Sequence, residues 1–208
     1  MQDLYGLPVT CQNADTLAAI DGFVHGFIAY ENTAAGILAA AEAEPDCCLA
    51  NAYAGMLWMF LEAPEAPEKA APFVELALKA APNATPREQQ VAQIVAHWAR
   101  DDVPQVLALC DALIAQHPRD LTMVKLAQYL LFNHGDSLGM LRVARATLPQ
   151  AADIAQTHGM IAFGYEQCHL MEQAEAAATH DVARDPARQT TDDQPRDKAH
   201  CVLLSSLN

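Results

Sequence analysis

Six cysteines and eight histidines are the side chains of this 208-residue chain best suited to ligate a metal or attack a substrate. His158, Cys168 and His169 lie close together in sequence, and Cys47-Cys48 and His200-Cys201 are adjacent pairs. Zinc needs about four ligands converging on a tetrahedron, usually from CxxC or HxxxH spacings. Neighbouring residues on a helix diverge by about 100°, and no CxxC occurs. Cys110 with His97 or His117 has the composition of a nucleophile and its base. However, Cys110 sits between Val106 and Leu113 at an apolar helix position, where a thiol is buried and inert. The acid pairs Asp101-Asp102 and Asp192-Asp193 fall in a turn and in a polar tail, where nothing apolar desolvates them for acid-base work. No Gly-rich phosphate loop, GxSxG or HExxH is present. No catalytic residue, metal ligand or cofactor is therefore expected, and the chain reads as a non-enzyme.

Composition narrows the class further. Half the residues are hydrophobic (52%), aromatics are scarce (6%), and alanine fills the space between, which favours helix. A net charge of -14 argues against nucleic acid, whose phosphates require clustered Lys and Arg, and against an anionic membrane surface. A basic partner remains compatible with it. No segment reaches the roughly 18 apolar residues of a membrane span. The opening MQDLYGLPVTCQNAD lacks the basic and apolar regions of a signal peptide, so a cytoplasmic protein is expected. The cysteines are too scattered for a disulfide framework and read as free thiols.

Helical periodicity accounts for most of the chain. Residues 1–12 read as an extended arm with Gly6 and Pro8 as breakers. Asn13 or Asp15 caps a first helix running to Tyr30, and Thr33 caps a second that stops at Glu44-Pro45-Asp46. Gly22 and Gly26, four apart on the first helix, point to close packing. Residues 47–61 are apolar all round and read as a central helix. A fourth helix spans 68–81. Thr85-Pro86-Arg87-Glu88 supplies the cap, N1 proline and N3 acid of a fifth. Val103 opens a sixth, Asp120 caps a seventh, Gly135 lies at its C-cap, and an eighth ends at Pro149. Residues 158–186 hold two more, and 187–208 form a polar tail.

The prolines at 45, 82, 118, 149 and 186 are spaced by 37, 36, 31 and 37. That is close to the 34-residue period of the tetratricopeptide helix pair, with small residues such as Gly55, Ala70 and Ala77 where paired helices approach. The predicted fold is all-α: a right-handed α-solenoid of tetratricopeptide-like hairpins over 13–186, about ten helices in all.

Four junctions carry a resemblance to a known family: TPRE at 85–88, HPRD at 117–120, F-x-x-GD at 132–136 and GM-x-AFG-x-E at 159–166. With them, residues 10–186 resemble the tetratricopeptide repeat protein 38 family. The resemblance implies a right-handed α-solenoid with a non-enzymatic role, and it brings no catalytic residues. Relatives continue with another helix and further repeats. Here the counterpart is Lys198-Ala199-His200-Cys201-Val202, so the chain reads as a short or truncated member.

In such an array the first helix of each pair lines a concave groove. Applying that register gives Met56, Met59, Val95, Trp98, Lys125, Tyr129, Phe132, Phe163 and Glu166. This apolar and aromatic column suits a peptide or helix, so the expected function is a protein-interaction scaffold. A small-molecule or enzymatic pocket in the same groove, or self-association alone, are the alternatives. The last pair should also leave an apolar flank around Ile161, Tyr165 and Met171. Either Cys201-Val202-Leu203-Leu204 folds back over it, or two chains stack as a homodimer.

Overall fold

The computed structural model describes residues 1–184. The expected C-terminal tail, its fold-back and the stop at Pro186 lie outside the described residues. Ten α-helices make up the described chain, with no strand beyond a single bridge between Gln2 and Pro8. They are α1 Ala14–Ala29, α2 Gly36–Ala43, α3 Cys48–Met59, α4 Ala66–Ala80, α5 Pro86–Trp98, α6 Val103–Gln116, α7 Leu121–Asn133, α8 Ser137–Ala151, α9 Ala155–Gln167 and α10 Met171–Arg184. The chain divides into two compact units, Met1–Leu109 and a second beginning at Cys110 within α6.

In the first unit α1 packs on α2, and α3 packs on α4 and α5. Residues 48–57 of α3 are buried without exception, as expected of a helix with no polar face. Gly26 permits the close approach of α1 to the 3-10 turn Asn32–Ala35, since a Cβ there would lie 2.6 Å from the Ala34 nitrogen. That turn replaces the cap expected at Thr33: α2 begins only at Gly36, and Thr33 contributes no side-chain cap.

Residues 1–10 are a docked element of this unit. Tyr5, Leu7 and Val9 are buried, each alternating with an exposed neighbour. A turn closes from the Asp3 amide to the Leu7 carbonyl (2.9 Å), with Gly6 at φ +79°. Asp3 Oδ1 accepts the Tyr5 and Leu7 amides, and its Oδ2 receives Arg87 Nη1 at 3.2 Å. The ion pair is almost sealed from water, with side chains 3% and 2% exposed. Glu88 completes the predicted capping box with Thr85 and also receives the amide and hydroxyl of Thr10, both at 2.8 Å. The TPRE junction thus starts α5 and anchors the N-terminal segment.

In the second unit α7 packs on α8 and α9, α8 on α9, and α9 on α10. Asp120 of HPRD caps α7 through the Met123 amide, and Asp136 of the GD turn caps α8 through the Gly139 amide. Arg119 grips Asp153 through two hydrogen bonds of 2.7 and 3.0 Å. A Cβ on Gly164 would lie 2.8 Å from the Leu141 Cα, so α8 and α9 meet where only glycine fits.

One expectation changes here. Pro149 does not end α8, which continues to Ala151, while Pro72 sits inside α4 as the expected helix over 68–81 implied. The carbonyls these prolines leave without a helical donor belong to Arg145 and Glu68, both exposed residues, so water can replace the lost donor. A regular marker appears instead at the helix ends. Left-handed backbone terminates α1, α3, α5, α7 and α9 at Tyr30, Glu62, Asp101, Gly135 and His169, the last three 34 residues apart.

Candidate functional site

The exposed stripe of α7 runs through Lys125, Tyr129 and Phe132, spaced four and three apart, so all three fall on one face. On α9 the corresponding stripe holds Gly159, Ala162, Phe163 and Glu166. Phe132 and Phe163 are 48% and 36% exposed, and their ring centroids lie 5.8 Å apart in a tilted arrangement. Lys125 and Tyr129 are half-buried and Glu166 is exposed. Five of the expected groove residues are thereby brought onto one face of the second unit.

The same unit leaves further apolar side chains in water. Leu138 in the first turn of α8 is 75% exposed, Leu170 before α10 is 40% exposed, and Met171 at its start is 57% exposed. The Cys168 thiol donates to the Ser137 carbonyl at 3.3 Å, which ties the α9–α10 turn to the start of α8. Of the expected flank, Met171 is open, Tyr165 is half-buried and Ile161 is core. Leu138 and Leu170 carried a weak signal in the sequence: each is a leucine within two residues of a helix start, beside a tight turn.

The first unit contributes little to such a face. Met56 and Val95 are fully buried, Trp98 is 6% exposed, and Met59 is half-buried. An aromatic ladder explains this. Phe23 stacks on Phe27 and on Tyr53, Phe27 meets Phe60 edge-on at 4.5 Å, and Phe60 meets Trp98 at 4.9 Å. Rings from α1, α3 and α5 and the residue after α3 fill one another's faces, each pair adding about 0.5–1.5 kcal/mol beyond its burial. Trp58 is covered in turn by the Lys69 ammonium, 4.6 Å from its ring centre.

Reactive groups are held away from chemistry. Burial pushes the Cys47 and Cys48 thiols up to about 12, and drives Cys110 upward as well. A thiol so placed is neutral at physiological pH and a poor nucleophile. His97 Nδ1 lies 2.9 Å from Asp102 Oδ2 across a helix-end turn, and His158 Nε2 lies 2.9 Å from the Ala152 carbonyl. Among the described residues no three His, Cys, Asp or Glu side chains are placed to share a metal ion. An open depression of about 490 Å³ in the first unit is lined by residues including Leu78, Pro82, Pro86, Gln90 and Gln93. None of its lining side chains ionises. No described helix is long and apolar enough to cross a membrane.

No family model, no curated protein and no solved structure matches this chain.

Proposed function

We propose that the chain is a protein-interaction scaffold: a right-handed, tetratricopeptide-like α-solenoid, related to the tetratricopeptide repeat protein 38 family, that receives a peptide or helix on the α7–α9 face. The observation that carries this is the exposed Phe132–Phe163 pair in a chain whose other aromatic rings are mostly packed. Surface apolar residues that cluster mark binding sites more often than ones scattered singly. The helix pairs, the left-handed helix ends 34 residues apart and the four junction motifs favour the repeat reading.

Selection from a peptide display library tests the function. Bound peptides should carry helical apolar anchors at i, i+3 or i+4 and i+7 spacing. Binding should fall at least about tenfold in Phe132→Ala/Phe163→Ala, with the melting temperature nearly unchanged because both rings are already half in water. Peptides that bind this variant equally well refute the site.

A further inference from the structure

We propose that the occupant of the α7–α9 face is a cationic amphipathic helix. This rests on the reading of that face as a docking surface and specifies its partner. The two segments framing the exposed apolar side chains are FNHGDSLG (132–139) and FGYEQCHLME (163–172). Together they carry Asp136, Glu166 and Glu172 and not one Lys or Arg, and all three acids are exposed. Lys125 lies two turns back along α7 and is half-buried. Arg142 on α8 is paired with Asp111 through two 3.0 Å bonds. His134 and His169 add positive charge only when protonated.

An apolar centre of two phenyl rings, with two leucines and a methionine on the segments that carry them and three exposed carboxylates beside it, complements a helix with Leu or aromatic anchors on one side and Lys or Arg beside them. Methionine and leucine on flexible stems re-pack around differing anchors, while the acids set orientation and speed encounter more than they add affinity. A second copy of this chain fits less well, because two like acidic borders and two net charges of -14 would face each other.

The test uses the full chain and three synthetic helices of identical apolar stripe, made from Leu/Lys, Leu/Gln and Leu/Glu and labelled for fluorescence anisotropy. The expected order is Leu/Lys tightest by at least about tenfold over Leu/Gln, with Leu/Glu weakest. The Leu/Lys advantage should shrink between about 50 and 500 mM NaCl. Phe132→Ala/Phe163→Ala should remove binding of all three, and Glu166→Lys should remove the Leu/Lys preference alone. If Leu/Gln binds as tightly as Leu/Lys, still dependent on the two rings, the cationic assignment fails and the docking face stands. Leu/Lys binding indifferent to Phe132→Ala/Phe163→Ala would be mere attraction to an acidic surface, and both readings fail. A dimer in sedimentation equilibrium that this variant dissolves would make a second copy the occupant. A tenfold gain in Leu/Lys affinity from Leu203→Asp would make the chain's own C-terminal segment the occupant. Either result overturns the proposal.

Discussion

Replacing Asp3 by alanine should cost far more than its position near the chain end suggests. The substitution removes the Oδ2 partner of a guanidinium that is only 2% exposed, which keeps the Pro8 carbonyl at 3.4 Å among its acceptors. It also strips the Tyr5 and Leu7 amides of their shared acceptor, loosening the turn that buries Tyr5, Leu7 and Val9. Breaking a buried pair from one side typically costs about 3–5 kcal/mol, because the remaining charge stays desolvated. For a chain of this size that lowers the melting temperature on the order of 10 °C. Arg87→Met strands the Asp3 carboxylate but leaves its two amide donors in place, so its cost should be the smaller. Asp3→Ala/Arg87→Met removes both charges and should cost less than the two single changes added together by about 2 kcal/mol or more. Urea unfolding of the four proteins closes the cycle, and about 0.5 M NaCl should barely alter it, since sealed pairs are weakly screened. Single changes that add within about 0.5 kcal/mol, or an Asp3→Ala cost below about 1 kcal/mol, would refute the argument and return residues 1–10 to the status of a loose arm.

Three further outcomes are accessible with simple assays. Asp101→Gly and His169→Gly relieve left-handed backbone at φ +61° and +58° and should each raise stability by about 0.5–1 kcal/mol in urea melts; a loss at both would mean that these side chains hold the turns. In the Cys11→Ala/Cys168→Ala/Cys201→Ala background, Cys47, Cys48 and Cys110 should not react with a thiol reagent at pH 8 until the protein unfolds, and prompt labelling would contradict their burial. Burial alone would raise the Glu44 carboxyl, but hydrogen bonds from Thr16, the Gln12 amide and Asn13 outweigh it and hold the group below its ordinary value near 4.5. Its stabilisation is therefore present above about pH 4.5 and lost as pH falls through the lower folded value; Glu44→Gln should lower the melting temperature at pH 7 and flatten its fall below pH 4.5, and an unchanged acid limb would refute this.

Helix content and most helix starts were legible because they depend on local chemistry. Thr85-Pro86-Arg87-Glu88, Asp120 and the Gly135-Asp136 turn act within four residues of themselves, and each does in the structure what its spacing implied. Proline was a poorer guide to helix ends, since Pro149 lies within α8 rather than at its end. A regular 34-residue spacing appears in backbone conformation instead. Of the residues at 101, 135 and 169, only Gly135 betrays a left-handed turn by its type. Nothing local announced that Arg87 and Glu88 would receive Asp3 and Thr10 from more than 75 residues away, because alternating burial over residues 3–9 is too short to distinguish from an arm. The groove register picked Met56, Val95 and Trp98, which are buried, alongside Phe132, Phe163 and Glu166, which are exposed, because it could not count how many neighbours each side chain would find.

That count decides where the chain is open. In the first unit Phe23, Phe27, Tyr53, Phe60 and Trp98 form a continuous series, so nearly every ring has another ring or a helix against each face. On the α7–α9 face Phe132 and Phe163 meet at the exposed end of a stripe that also holds the half-buried Tyr129, and they are flanked by the small residues Gly159 and Ala162. At 48% and 36% exposure, and with a phenylalanine presenting roughly 200 Å², the pair leaves on the order of 170 Å² of apolar surface in water. Covering it is worth about 4 kcal/mol at roughly 25 cal/mol per Å². That alone corresponds to about a thousandfold in affinity, before Leu138, Leu170 and Met171 are included and before the cost of ordering a partner is subtracted. Polar residues in place of Phe132 and Phe163 would cost the fold little, as both rings are already a third to a half exposed.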